Sequence, residues 1–163
     1  MAISLQNIHI LRLSSLLFLT INLICKLEAK LCFKAPMENI SKKTVLVIDD
    51  EEYICQIMQA CLELLSDWKP VTVPCCEEGL AAVANIRPDA ILLDMLMPNM
   101  DGFAFLKNLQ ASPEFADIPV VLLTARIDLT EPQKISQLGV KGAIAKPFHP
   151  VQIVSQIARI LGW

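Results

Sequence analysis

Five short, largely apolar runs set the limits on this fold: Thr44–Ile48, Pro70–Val73, Ala90–Leu93, Pro119–Leu123 and Gly142–Ala145. They are continuous rather than alternating, apart from Thr72 in the second, so they are not patterned to turn one face to water. Short Val-, Ile- and Leu-rich runs of this kind suit strands buried on both faces of a parallel sheet. The second run is the weakest of the five. Amphipathic stretches separate them. Glu52–Leu65 places Ile54, Ile57, Met58, Cys61, Leu62 and Leu65 on one stripe, the spacing of a helix that buries one side. Cys76–Ile86, Phe103–Leu109, Pro132–Leu138 and Val151–Leu161 follow the same rule. Thr130 is the expected N-cap of the fourth helix, Pro132 falls in its first turn, and Gly139 ends it.

Five strands alternating with five helices predict an α/β domain with a doubly wound parallel sheet and helices on both faces. Such sheets bind ligands at the carboxyl ends of their strands, near the point where the winding reverses. Asp49, Asp50, Asp94, Thr124 and Lys146 all fall at predicted strand ends. The 163 residues suffice for one ordinary domain. No internal repeat or low-complexity tract interrupts them.

The apolar fraction, 54%, is high, and part of it lies in the first 36 residues. The stretch from Leu16 to Cys25 has the length of a signal-peptide core and is short for a membrane span. Three readings compete: an export signal, a membrane anchor, or an extension from a start codon placed too far upstream. The third is favoured, because Met37 opens a polar leader that runs straight into the first strand. The expected division is an N-terminal extension over 1–42 and one domain over 43–163, with membrane contact only if the extension is genuine. Residues 1–36 carry Arg12, Lys26, Lys30 and Lys34 against Glu28 alone, yet the net charge of the chain is −3. The domain is therefore acidic and lacks the basic face that nucleic acid requires. Six cysteines without C-x-x-C spacing and only two histidines make a zinc site a poor fit. Reduced, structural thiols and a cytoplasmic location are expected.

The strand ends define the chemistry. Three carboxylates with open positions for water and phosphate suit Mg²⁺. Two like charges about 4 Å apart repel by about 4 kcal/mol at an effective dielectric near 20, so a cation must offset them. Lys146 supplies a fixed ammonium and Thr124 a hydroxyl. A carboxylate beside a divalent ion, an ammonium and a hydroxyl is equipped to accept a phosphoryl group, with Asp94 as the nucleophile. Taken singly, the residues are less telling: Asp49-Asp50 also suits a turn with Asp50 as N-cap, Asp101-Gly102 a turn, and Glu51 and Glu52 a helix N-terminus. The joint pattern of four strand ends carries the inference.

That pattern resembles the receiver domain of two-component response regulators. The matching pieces are Val45-Leu-Val-Ile-Asp-Asp-Glu-Glu52, Ile91-Leu-Leu-Asp-Met-Leu-Met-Pro-Asn-Met-Asp-Gly102, Pro119-Val-Val-Leu-Leu-Thr-Ala125 and Gly142-Ala-Ile-Ala-Lys-Pro-Phe148. The resemblance implies a flavodoxin-like strand order 2-1-3-4-5. It implies that a histidine kinase or phosphotransfer protein phosphorylates Asp94. It implies direct Mg²⁺ ligation by Asp50, Asp94 and the backbone carbonyl of Leu96, with Asp49 acting through water. Thr124 and Lys146 would contact the phosphoryl group, and Lys146–Pro147 would be cis. Three positions depart from the pattern. Ala143 stands where the family carries its switch aromatic, which puts the usual coupling from Thr124 to the partner face in question. Leu96 and Arg126 overhang the site and are expected to alter dephosphorylation rather than abolish phosphorylation.

The expected function is a stand-alone phosphoacceptor switch or phosphorelay intermediate. It is not an enzyme beyond its own phosphorylation and dephosphorylation, and its output is contact with a downstream protein the sequence does not name. The alternative is a Mg²⁺-dependent phosphohydrolase with an aspartyl-phosphate intermediate, which lacks a clear general acid and a cap insertion. A flavin or dinucleotide binder suits the fold, but no G-x-G-x-x-G follows the first strand.

Overall fold

A computed structural model of the chain describes residues 42–97 and 102–163. The expectations for the N-terminal extension up to residue 41, including Met37, and for a turn at Asp101 lie outside the described residues. The strands are β1 (Thr44–Ile48), β2 (Lys69–Val73), β3 (Ala90–Asp94), β4 (Val120–Thr124) and β5 (Gly142–Ala145). The helices are α1 (Glu52–Leu65), α2 (Cys76–Ile86), α3 (Gly102–Ala111), α4 (Pro132–Leu138) and α5 (Pro150–Leu161). All strand pairs are parallel, in the order β2-β1-β3-β4-β5. This is the doubly wound, flavodoxin-like order expected from the sequence. Pro70 lies in β2, an edge strand, where a missing backbone donor is tolerated.

The apolar runs divide cleanly between two cores. Leu46, Ile48, Ile91, Leu93, Val120 and Leu122 pack on one side of the sheet with Val83 of α2 and Phe105, Leu106 and Leu109 of α3. Val45, Val47, Leu92, Val121, Leu123 and Ile144 pack on the other with Ile54, Met58 and Leu62 of α1 and Ile153 and Ile157 of α5. Successive residues thus serve opposite faces, and both faces are covered. Cys61 and Cys76 are fully buried, as small hydrophobes would be. Burying a Leu, Ile or Phe side chain stabilises by roughly 1.5–3 kcal/mol, and most helices are held in this way. Helix α4 is the exception, with no fully buried residue.

Two local expectations need correction. Thr130 does not cap α4. Its hydroxyl donates to the Ile127 carbonyl at 2.6 Å, inside a 3₁₀ turn over Ile127–Thr130 that apolar periodicity gave no sign of. The N-cap is Glu131, whose side chain makes no capping bond. Nor does Asp50 cap α1; Glu51 holds that position, likewise without a side-chain cap. The strand ends also shift. Asp94 and Thr124 are the last residues of β3 and β4 rather than the first of their loops, so the rigid sheet itself fixes both side chains.

Gly139 ends α4 with φ +65°, and an added Cβ would stand 2.9 Å from Gln110 Nε2, the group that donates to the Leu138 carbonyl at 2.7 Å. A left-handed L-residue costs roughly 1–2 kcal/mol, so Gly139→Ala should lower the unfolding free energy by at least that much. Urea titration checks it; an unchanged midpoint would mean that α4 does not unfold with the rest.

Candidate functional site

The order of the sheet brings β1 and β3 together where its winding reverses. Ile48 pairs with Leu93, so Asp49 and Asp94 are neighbours across the two strands. Asp49 is fully buried and Asp94 is 3% exposed, while Asp50 is exposed. One oxygen from each of the three can be chosen so that all lie within 4.8 Å of one another. The sequence expectation that these acids converge is met.

Three strand ends repeat one device. Asp49 Oδ1 accepts from the Glu51 backbone N–H, Asp94 Oδ1 from that of Leu96, and Thr124 Oγ1 from that of Arg126, each at 3.0 Å. A short polar side chain bonding the backbone two residues on is an Asx- or ST-type turn. Each bond fixes its side chain and the start of the loop that follows. Thr124 is fully buried, and its hydroxyl keeps a proton to donate.

Lys146 ties these ends together. Its backbone N–H donates to the Thr124 carbonyl at 2.8 Å, and its bond to Pro147 is cis. Its ammonium donates to Asp49 Oδ2 at 2.7 Å, to Asp94 Oδ2 at 2.8 Å and to Glu51 Oε1 at 3.3 Å. The side chain is 11% exposed. Sequence reasoning placed the ammonium correctly but missed Glu51, which it assigned to the helix N-terminus. A carboxylate two residues past β1 hinted at this role, but its direction could not be read from the chain.

Burial opposes both charges of the Asp49–Lys146 pair, with different results. It raises the Asp49 carboxyl above its ordinary value, outweighing the hydrogen bond and attraction from Lys146, and the Asp94 charge adds to the rise. For Lys146, burial works against the ammonium, yet the hydrogen bonds to Asp49 and Asp94 prevail and hold it well above the usual lysine range. One cation thus faces more negative charge than it can balance. Nearby, burial and then the charge of Asp49 push the Cys55 thiol up to about 11, so this cysteine stays protonated and unreactive at neutral pH. An excess of carboxylate oxygens at one spot fits a hard divalent cation.

Around the mouth, Leu96 is 51% exposed and Ile127 75%. The Arg126 guanidinium forks onto Asp128 at 3.2 and 2.7 Å, so its own loop holds it.

Residues 45–158 match the family model of the response regulator receiver domain. The chain belongs to the response regulator receiver family. Receivers are the phosphoacceptor switches of two-component signalling. The chain is 30% identical over 121 residues to the phosphate regulon transcriptional regulatory protein PhoB of Pseudomonas aeruginosa, covering 73% of this chain and 52% of that protein. A hybrid signal transduction histidine kinase D of Dictyostelium discoideum is 33% identical over 131 residues, covering 79% of this chain and 8% of the kinase. The chain spans about half the length of the transcriptional regulators among its curated relatives. Among solved structures, the Vibrio cholerae chemotaxis response regulator CheY4 aligns with a TM-score of 0.67 at 28% identity, covering 74% of this chain and 99% of that one. Among the described residues no helix is long and apolar enough to cross a membrane.

The raised Asp49 carboxyl of this receiver has a consequence for stability. A carboxyl whose folded pKa exceeds its unfolded value binds more protons in the folded state between the two, so stability falls as pH rises through that window. In chelator, Asp49→Asn should therefore melt above wild type at neutral pH, and the gap should close on acidification. Melting curves across that range check this. A variant that melts lower at neutral pH would show that the Asp49–Lys146 attraction outweighs burial.

Proposed function

We propose that Asp94 is the phosphoacceptor of a receiver domain over residues 43–163. Asp50, Asp94 and the Leu96 carbonyl would hold Mg²⁺ directly, and Asp49 would act through water. The observation that carries this reading is the ammonium of Lys146 bridging Asp49 and Asp94 within 2.8 Å, beside three carboxylate oxygens close enough to share one ion. The donor is a histidine kinase or phosphotransfer protein, and the output is contact with a further protein.

In this reading an Asp94 carboxylate oxygen attacks phosphorus in line, the new O–P bond forms, and the donor's bond to phosphorus breaks with the electron pair leaving on the donor. The ion, when bound, neutralises charge on the transferring oxygens. Lys146 donates to one of those oxygens and Thr124 to another. The turn bond from Leu96 N–H holds the Asp94 carboxylate in a single orientation, so little reorganisation remains for the transition state. The product adds charge at the sheet rim, and Thr124, reorienting toward it, pulls on the loop that begins at Arg126.

Incubation with acetyl phosphate and Mg²⁺ should add one phosphoryl group per chain, and Asp94→Asn should add none. Steady turnover of many equivalents would instead favour the phosphohydrolase reading. Asp49→Asn should cost roughly 10–100-fold in Mg²⁺ affinity, the usual penalty for losing a group that orients a metal's own ligands.

Leu96 and Arg126 stand two residues past the acceptor and the hydroxyl, on the path by which water reaches the acyl phosphate. Leu96→Asn should shorten the life of the phosphorylated form, because an amide can orient the attacking water where an isobutyl group excludes it. Arg126→Ala, by removing the fork to Asp128, should change the same rate without changing the extent of labelling. Decay of radiolabel after removal of donor is the measurement; unchanged decay in both variants counts against this account of water access.

A further inference from the structure

An ammonium has three N–H donors and no acceptor. In this structure all three donors of Lys146 are directed to carboxylates, and the three acceptors are not equivalent. Asp49 and Asp94 take the short bonds, and their side chains are 0% and 4% exposed. Glu51 takes the long one, at 3.3 Å, and its side chain is 43% exposed. Asp49 directly follows β1 and Asp94 ends β3, and both carboxylates are almost wholly shielded from bulk solvent. Glu51 is the N-cap residue of α1, at the open side of the site, and can exchange Lys146 for solvent at little cost.

We propose that Glu51 is a positioning residue that holds Lys146 in the resting state and is released when a phosphoryl group arrives. The inference rests on the phosphoacceptor reading above. Loading Asp94 removes the charge of its carboxylate and places a dianion within reach of the Lys146 ammonium. The bond from Lys146 to Asp94 passes to a phosphoryl oxygen. Asp49, buried and fixed by the Glu51 N–H, keeps its bond. Glu51 is left facing the dianion across the ammonium, and it yields because it has the weakest bond and the readiest access to water. Its negative charge therefore favours the unloaded state and sets how much donor is needed to fill the site. Phosphoryl transfer itself needs no proton or electron from Glu51.

Glu52 provides the control. It is the next residue, carries the same charge and is exposed, but its carboxylate accepts from Gln56 at 3.2 Å. The test titrates the full chain with beryllofluoride in saturating Mg²⁺, following the fluorine resonance of the bound species. Glu51→Gln should bind about fivefold more tightly than wild type, the scale of one partly exposed charge-assisted bond. The gain should persist at high salt, whereas any effect of Glu52→Gln should be screened away. A second readout, hydrogen exchange at the Lys146 ammonium in the unloaded protein, should quicken in Glu51→Gln and not in Glu52→Gln. Equal affinity for wild type and Glu51→Gln, or an equal and salt-resistant gain in Glu52→Gln, overturns the proposal while leaving the phosphoacceptor reading intact. A wild-type chain that binds no beryllofluoride in Mg²⁺ overturns both.

Discussion

Everything at the carboxyl edge of this sheet depends on the single ammonium of Lys146. Without it, two buried carboxylates would face each other across β1 and β3, and the cost of keeping both ionised would be several kcal/mol. The chain does not avoid that cost by replacing one acid with an apolar residue, as a purely structural edge would. It places Asp49 and Asp94 in the strand-end layer, adds Asp50 beside them, and supplies one cation from the far edge of the sheet. The result is a site left short of positive charge. That shortage is what suits the site to a hard divalent cation.

The fold was readable because both-sided burial leaves so little freedom. A run such as Val120-Val-Leu-Leu must find apolar partners on two faces, and only a covered parallel sheet offers them. The direction of the winding was not in the runs themselves; it followed from the resemblance, and the pairing of Ile48 with Leu93 then placed Asp49 beside Asp94. The site was legible for the same reason. Side chains at the ends of rigid strands have few places to go, so Asp49, Asp94, Thr124 and Lys146 could be named from position alone.

What escaped the sequence lies where one side chain chooses between partners. Glu51 suits a helix N-terminus electrostatically, and that reading hid its ion pair with Lys146. Thr130 looked like a cap because it precedes Pro132 by two residues, yet its hydroxyl turns back to Ile127. Both cases are choices among hydrogen bonds of similar strength, settled for Glu51 by the approach of Lys146 from a distant strand end and for Thr130 by a carbonyl three residues back in its own turn. Trp68 is another such case. It is 3% exposed and meets Trp163 edge to face with ring centroids 5.0 Å apart, a contact between the residue before β2 and the end of the chain that no periodicity reveals.

Ala143 raises a question about coupling that the geometry narrows. A methyl group cannot swing between two packings as an aromatic ring can, so in the phosphoacceptor reading a change at Thr124 would have to travel by another route. The sheet offers one. Thr124 pairs with Ala145, and its carbonyl accepts the backbone N–H of Lys146 at 2.8 Å. The hydroxyl and the ammonium that would both touch the phosphoryl group are thus joined by one backbone bond. Just past Lys146, Pro147, Phe148 and His149 line a cleft of about 450 Å³ with Ala143, Thr130 and Arg159. The 3₁₀ turn that ends at Thr130 follows Thr124 and forms one wall, and the segment that starts α5 follows Lys146 and forms the other. Ala143, with its small side chain, lines this cleft between the two segments, directly beside the strand ends that carry Thr124 and Lys146.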